Sequence, residues 1–138
     1  MSLRWSLRAL AAICLATGAF AKLAPHAFYR HVVGVDMLGP YNEHLLTDVG
    51  GFYLGFALLF AWGARRPSPE LAQAACAAFA LTQALHVAFH LAHLHGFTRG
   101  QAIAQTAALM VLVVLPATAL ILARRPPAQT RGRPAARE

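Results

Sequence analysis

Four stretches of the chain, residues 7–24, 43–63, 71–94 and 101–123, are apolar runs long enough to cross a bilayer, and the last two hold no Asp, Glu, Lys or Arg. A crossing takes about 20 residues, because an α-helix rises about 1.5 Å per residue against roughly 30 Å of hydrocarbon. Inside lipid every backbone N–H and C=O must be satisfied within the segment, so such runs fold as helices. Charged residues make up only 12% of the chain, against about 25% in an average soluble domain. The implied fold is all-α, an integral membrane four-helix bundle over residues 1–125, in contact with the lipid bilayer and multi-pass in the inner (plasma) membrane. Residues 126–138 are mostly Pro, Ala and Arg without apolar periodicity, which predicts a disordered basic tail on the cytoplasmic side.

The basic residues flank the apolar runs instead of forming a patch, so the net charge of +7 reads as a topology signal and implies no nucleic acid. With the amino terminus inside, nine basic residues (Arg4, Arg8, Arg65, Arg66, Arg124, Arg125, Arg131, Arg133 and Arg137) face the cytoplasm. Three (Lys22, Arg30 and Arg99) face outward, which places both termini in the cytoplasm. The first run also admits a second reading. A basic start, a short apolar core and Ala19-Phe20-Ala21 before Lys22 fit a cleaved signal peptide. As a membrane helix instead, it uses Gly18 for close packing, lets Lys22 reach the headgroups and stops at Pro25. Residues 26–40 are too polar to span and lie at the interface. Pro116 interrupts one hydrogen bond in the last run and predicts a modest kink.

This topology gathers all seven histidines, with Asp36, Glu43 and Asp48, in the outer half. In the third run Gln83, His86, His90 and His93 are spaced 3, 4 and 3, so they share one helical face, with His90 about 4.5 Å and His86 about 10 Å deeper than His93. Ionisable groups at that depth usually face a bundle interior or a wet cavity. In the second run His44, Asp48, Gly51 and Gly55 are spaced 4, 3 and 4. Asp48 therefore shares a face with a G-x-x-x-G pair that admits a neighbouring helix, and is expected to point inward toward the third run. Cys14 and Cys76 lie in apolar surroundings and read as packing residues.

Plainer roles exist for each group. Glu43 complements a helix N-terminus, His26, His31, His93 and His95 suit the interface, and an Asp48–His86 or Asp48–His90 hydrogen bond could simply tie two helices. Two imidazoles one turn apart with a facing carboxylate nonetheless form a plausible site for a divalent transition metal such as Zn, Fe or Cu. The candidate ligands are His86, His90 and Asp48, with His44, Glu43 and His93 nearby, Gln83 orienting, and Gln101 and Gln105 closing the pocket from the last run. Haem fits less well, since only His44 could oppose His86 or His90. The same Asp48, His86 and His90 would equally serve as an acid–base centre.

The basic start, the helix with Gly18 and the Lys22-Leu23-Ala24-Pro25 stretch resemble the DoxX-like group of small four-helix bacterial membrane proteins. Pro40-Tyr41-Asn42-Glu43-His44-Leu45-Leu46-Thr47-Asp48-Val49-Gly50, with His86 to His93, is similar to membrane proteins of high-GC bacteria. The resemblance implies the four-helix bundle and transfers no activity. Three readings follow: a metal- or proton-binding pocket, alone, as a homo-oligomer or within a larger membrane assembly; a membrane enzyme acting on a lipophilic substrate; or a structural accessory subunit.

Overall fold

The computed structural model describes residues 2–37, 39–66 and 68–124. Four long helices, α1 (Leu3–Leu23), α3 (Glu43–Arg65), α4 (Pro69–Ala92) and α5 (Arg99–Ala123), are each long and apolar enough to cross a membrane. A short helix, α2 (Pro25–His31), follows α1 directly. Pro25 thus ends one helix and opens the next, a role it can fill because its fixed φ suits a first helical position that needs no N–H donor. The expected tail at 126–138 lies outside the described residues.

Side-chain caps set three of the starts. Asn42 Oδ1 accepts from Leu45 N at 3.0 Å, and Ser68 Oγ accepts from Leu71 N at 3.2 Å. Thr98 and Gln101 form a reciprocal capping box at the head of α5. Each cap satisfies a donor that the first turn leaves without an internal partner.

The helices associate as two close pairs, α1 with α3 and α4 with α5, while α3 meets α4 only sparsely despite the short connection between them. Among lipid tails there is no hydrophobic drive between helices, so close backbone approach and packing must hold them. The α1–α3 seam provides that approach at Gly18 and Gly50, where a Cβ on Gly18 would lie 2.8 Å from Gly50 O and one on Gly50 would lie 2.8 Å from Lys22 N. Across the pairs, one half of the bundle is filled. Leu7, Leu10, Cys14, Phe60, Ala72, Cys76, Phe79 and Ala119 are buried there. Arg4 Nε donates to Ala64 O at 3.1 Å and Gln73 Nε2 to Ala123 O at 3.2 Å, drawing the helix ends together at this basic end. Meanwhile Leu15, Leu58, Leu81, Leu85, Ile103 and Ile121 turn outward, a distribution that suits lipid and not water.

Candidate functional site

The opposite half, toward the histidine end, is packed by Ala21, Phe28 and Leu46 where α1, α2 and α3 meet but is open between the pairs. Between the two pairs, with α2 and the following segment across its mouth, lies a partly open cavity of about 1210 Å³. Its floor is aromatic. Phe56 lines it and packs edge-on against Phe79 (ring centroids 5.0 Å), and Phe79 packs in turn against Phe60 (5.4 Å). Its walls are apolar, with Phe20, Val49, Phe52, Leu109 and Leu112 among them, and no Asp, Glu, Lys or Arg lines it among the described residues.

One row of polar groups runs along the α4 side. Deepest, Tyr53 on α3 donates its hydroxyl to Gln83 Oε1 at 3.2 Å, so two membrane-embedded polar side chains satisfy each other. One turn higher, His86 and His90 meet edge to face with ring centroids 4.4 Å apart. His86 is accessible, His90 is buried, and both line the cavity. Gln105 reaches across from α5 and its Nε2 donates to His90 Nδ1. In neutral imidazole that leaves the His90 ring proton on Nε2. Gln105 is only 5% exposed, and its Oε1 has no hydrogen-bond partner among the described residues. Buried polar atoms are rarely left this way. Above it the chain after α2 passes so close that Gly34, at φ +90, has no room for a side chain: a Cβ there would run into the Gln105 amide and lie 2.9 Å from Phe97 Cε1.

The expected companions on α3 are elsewhere. His44 Nδ1 lies 3.3 Å from Asp48 Oδ2, an exposed pair one turn apart, and neither residue lines the cavity. Glu43 is exposed in the first turn, accepting from the Tyr41 hydroxyl at 3.4 Å. Desolvation, followed by that carboxylate and its hydrogen bond, raises the Tyr41 phenol above its ordinary pKa. The inward aim expected for Asp48 is corrected by the seam. Gly50 faces α1, and a residue two positions away is rotated by about 200°, which turns Asp48 to the far side. Gly51 and Gly55, read as the close-packing pair, have nothing within 4 Å of their would-be Cβ atoms. His93 stacks on Phe89 at 4.1 Å, its Nδ1 2.7 Å from Phe89 O, and so closes the last turn of α4. Among the described residues no three His, Cys, Asp or Glu side chains gather where they could hold one metal ion.

Gln101 serves the α5 capping box and does not line the cavity. Tyr53 and Gly34 were not singled out in the sequence. Tyr53 was legible in principle, since Leu46, Gly50, Tyr53, Ala57 and Phe60 are spaced 4, 3, 4 and 3, and a phenol at that depth needs a partner.

A family model described as a domain of unknown function, DUF4345, matches residues 2–123, which takes in all five helices. The chain belongs to the DUF4345 family. No curated protein and no solved structure matches it. The match thus covers the whole cavity of this DUF4345 protein without attaching a reaction to it.

Proposed function

We propose that this DUF4345 protein binds a lipophilic molecule within the bilayer, with the ligand's polar head near His86, His90 and Gln105 and its apolar part between α3 and α5. The observation that carries this reading is the cavity. At about 1210 Å³ it exceeds the roughly 300–1,000 Å³ of common small-molecule sites, and it combines mostly apolar walls with a polar row along α4 and a few other neutral polar groups, Thr17, Tyr29, Asn42 and Thr82. A space of that kind beside lipid accepts a molecule that partitions into lipid. The test is extraction with organic solvent of protein purified in mild detergent, followed by mass spectrometry. A near-stoichiometric lipophilic species is expected, and it should be lost in Ala108→Phe, which places a ring in the cavity beside Leu109. A parent protein carrying only bulk membrane lipid, with no difference from Ala108→Phe, would remove the reading.

The perpendicular His86–His90 pair favours a second reading, in which these imidazoles hold a divalent transition metal or pass protons, and the ligand is then a substrate of acid–base or metal chemistry. Metal content of the same preparation, compared with His86→Ala and His90→Ala, separates it from simple ligand binding. Asp48 has no part in either version, because it stands with His44 outside the cavity. Placement in the plasma membrane with cytoplasmic termini is likewise our proposal, supported by the nine-to-three distribution of basic residues. Kinship with the DoxX-like group is a proposal supported by the four long apolar helices.

A further inference from the structure

We infer that the arginine end of the bundle, far from the cavity and independent of what fills it, binds an anionic phospholipid, with the phosphate held by Arg4, Arg65 and Arg66. Among the described residues this end carries Arg4, Arg8, Arg65, Arg66 and Arg124 against the single acid Glu70. Glu70 is turned to its own helix start, where it accepts from Ser68 Oγ at 3.0 Å. The one contact between a carboxylate and a basic side chain among the described residues is His44 with Asp48, at the other end. A guanidinium at the edge of hydrocarbon keeps its charge, so these arginines must take their counter-charge from outside the chain.

Arg4 is held in place for this. Its Nε donates to Ala64 O at 3.1 Å, which sets the guanidinium at the last turn of α3, directly before Arg65 and Arg66. The two terminal nitrogens make no hydrogen bond among the described residues and form the end of a fork that matches two phosphate oxygens. Beside them is a recess of about 300 Å³ between the start of α1, the end of α3 and the start of α4, lined by Ser2, Arg4, Leu7, Gly63, Ser68 and Ala72. That is the lower edge of small-molecule site sizes, room for a head group whose acyl chains stay in the bilayer. In the first turn of α4 Pro69 has no N–H, and Leu71 N and Ala72 N are taken by Ser68, so selection for an anion rests on the arginines. A phosphatidylcholine head would bring a quaternary ammonium beside them, whereas phosphatidylglycerol brings its phosphate charge uncompensated.

Trp5 and Trp62, the two tryptophans of the chain, mark the depth of this end. They are 63% and 54% exposed, and each carries an arginine over its ring, Arg8 Cζ 4.7 Å from the Trp5 centroid and Arg66 Cζ 5.4 Å from that of Trp62. Indoles concentrate at the level of the head groups, apolar body toward lipid and N–H toward water. The recess one residue from Trp5 and Trp62 therefore stands level with lipid phosphates, which favours a lipid over a soluble anion.

The same indoles report the binding. The full chain is placed in phosphatidylcholine vesicles containing about one-fifth phosphatidylglycerol, which keeps the surface potential modest. Bromine is carried on the acyl chains either of the phosphatidylglycerol or of an equal fraction of the phosphatidylcholine, and the ratio of the two quenching efficiencies measures which lipid adjoins the tryptophans. A preference of about fivefold for phosphatidylglycerol is expected, the scale of one arginine at an anionic surface, and it should fall away at about 1 M salt, where the Debye length is about 3 Å. Arg4→Gln combined with Arg66→Gln should remove most of it, while Gln at Arg131, Arg133 and Arg137 should leave it intact. The comparison on the parent protein needs no variant, so a poorly folded double variant does not disable the test. Equal quenching by the two lipids would overturn the inference. So would a preference that survives the double variant and is lost with the three tail arginines, which would assign it to the tail. Displacement of the brominated phosphatidylglycerol by millimolar glycerol phosphate would make the occupant a soluble anion and overturn the lipid assignment.

Discussion

Gly50 and Gly51 are neighbours in the middle of α3, yet replacing each with Ala should move stability in opposite directions. Both substitutions bring the same gain in helix propensity, about 0.5–1 kcal/mol. That gain cancels when the two variants are compared. What remains is the cost of a Cβ at Gly50, which would sit 2.8 Å from Lys22 N and 2.9 Å from Gly18 O, both backbone atoms of α1 that cannot rotate aside. Ordinary contact begins at 3.4 Å, so α1 must recede by 3.4 − 2.8 = 0.6 Å along the most intimate seam of the bundle. A gap of that order forfeits about a quarter to a half of the dispersion energy of the atoms it separates, and overpacking of this kind costs about 1–3 kcal/mol. At Gly51 nothing lies within 4 Å. Gly51→Ala should therefore match or exceed the parent, and Gly50→Ala should fall about 2 kcal/mol below Gly51→Ala, or about 8 °C in Tm at roughly 4 °C per kcal/mol. Thermal unfolding in mild detergent, followed by far-ultraviolet circular dichroism, measures both. Equal midpoints, or a Gly51→Ala variant less stable than Gly50→Ala, would refute the seam and restore the G-x-x-x-G face as the buried one.

Gly34→Ala should lose about 2 kcal/mol or more, because it combines a φ of +90 with a Cβ driven into the Gln105 amide; Gly96→Ala, at φ +96 in open space, should lose about half as much in the same melts. Asp48→Asn breaks only an exposed pair with His44, worth about 0.2–0.5 kcal/mol, so Tm should shift by less than about 2 °C and the co-purifying lipophile should be unchanged. A loss of ligand in Asp48→Asn would return Asp48 to the site. Tags at either terminus should resist protease added to intact cells, and cleavage from outside would reverse the proposed topology.

The helices were legible in the sequence because hydropathy is a local property. The runs at 43–63 and 101–123 sit inside α3 (Glu43–Arg65) and α5 (Arg99–Ala123), and the others differ from α1 and α4 by a few residues at each end. Which face of a helix turns inward is not local. On α3 the sequence offers Gly50 on one face and Gly51 with Gly55 on another, and only the presence of Gly18 on α1 decides between them. The same decision carried Asp48 outward. Depth then separates the α4 row, which lies along the cavity, from Asp48, which does not. Gln83 lies nine residues, about 13 Å, below the end of α4, too far to reach headgroups or water, so lipid forces it to find a protein partner, which it does in Tyr53. Asp48 lies five residues into α3, where a carboxylate can still reach the headgroup region beside His44. Of the residues proposed from sequence, depth accounts for Gln83 and His86, which line the cavity. His90, only two residues from the end of α4, lines it because Gln105 of α5, also proposed from sequence, reaches across to its ring.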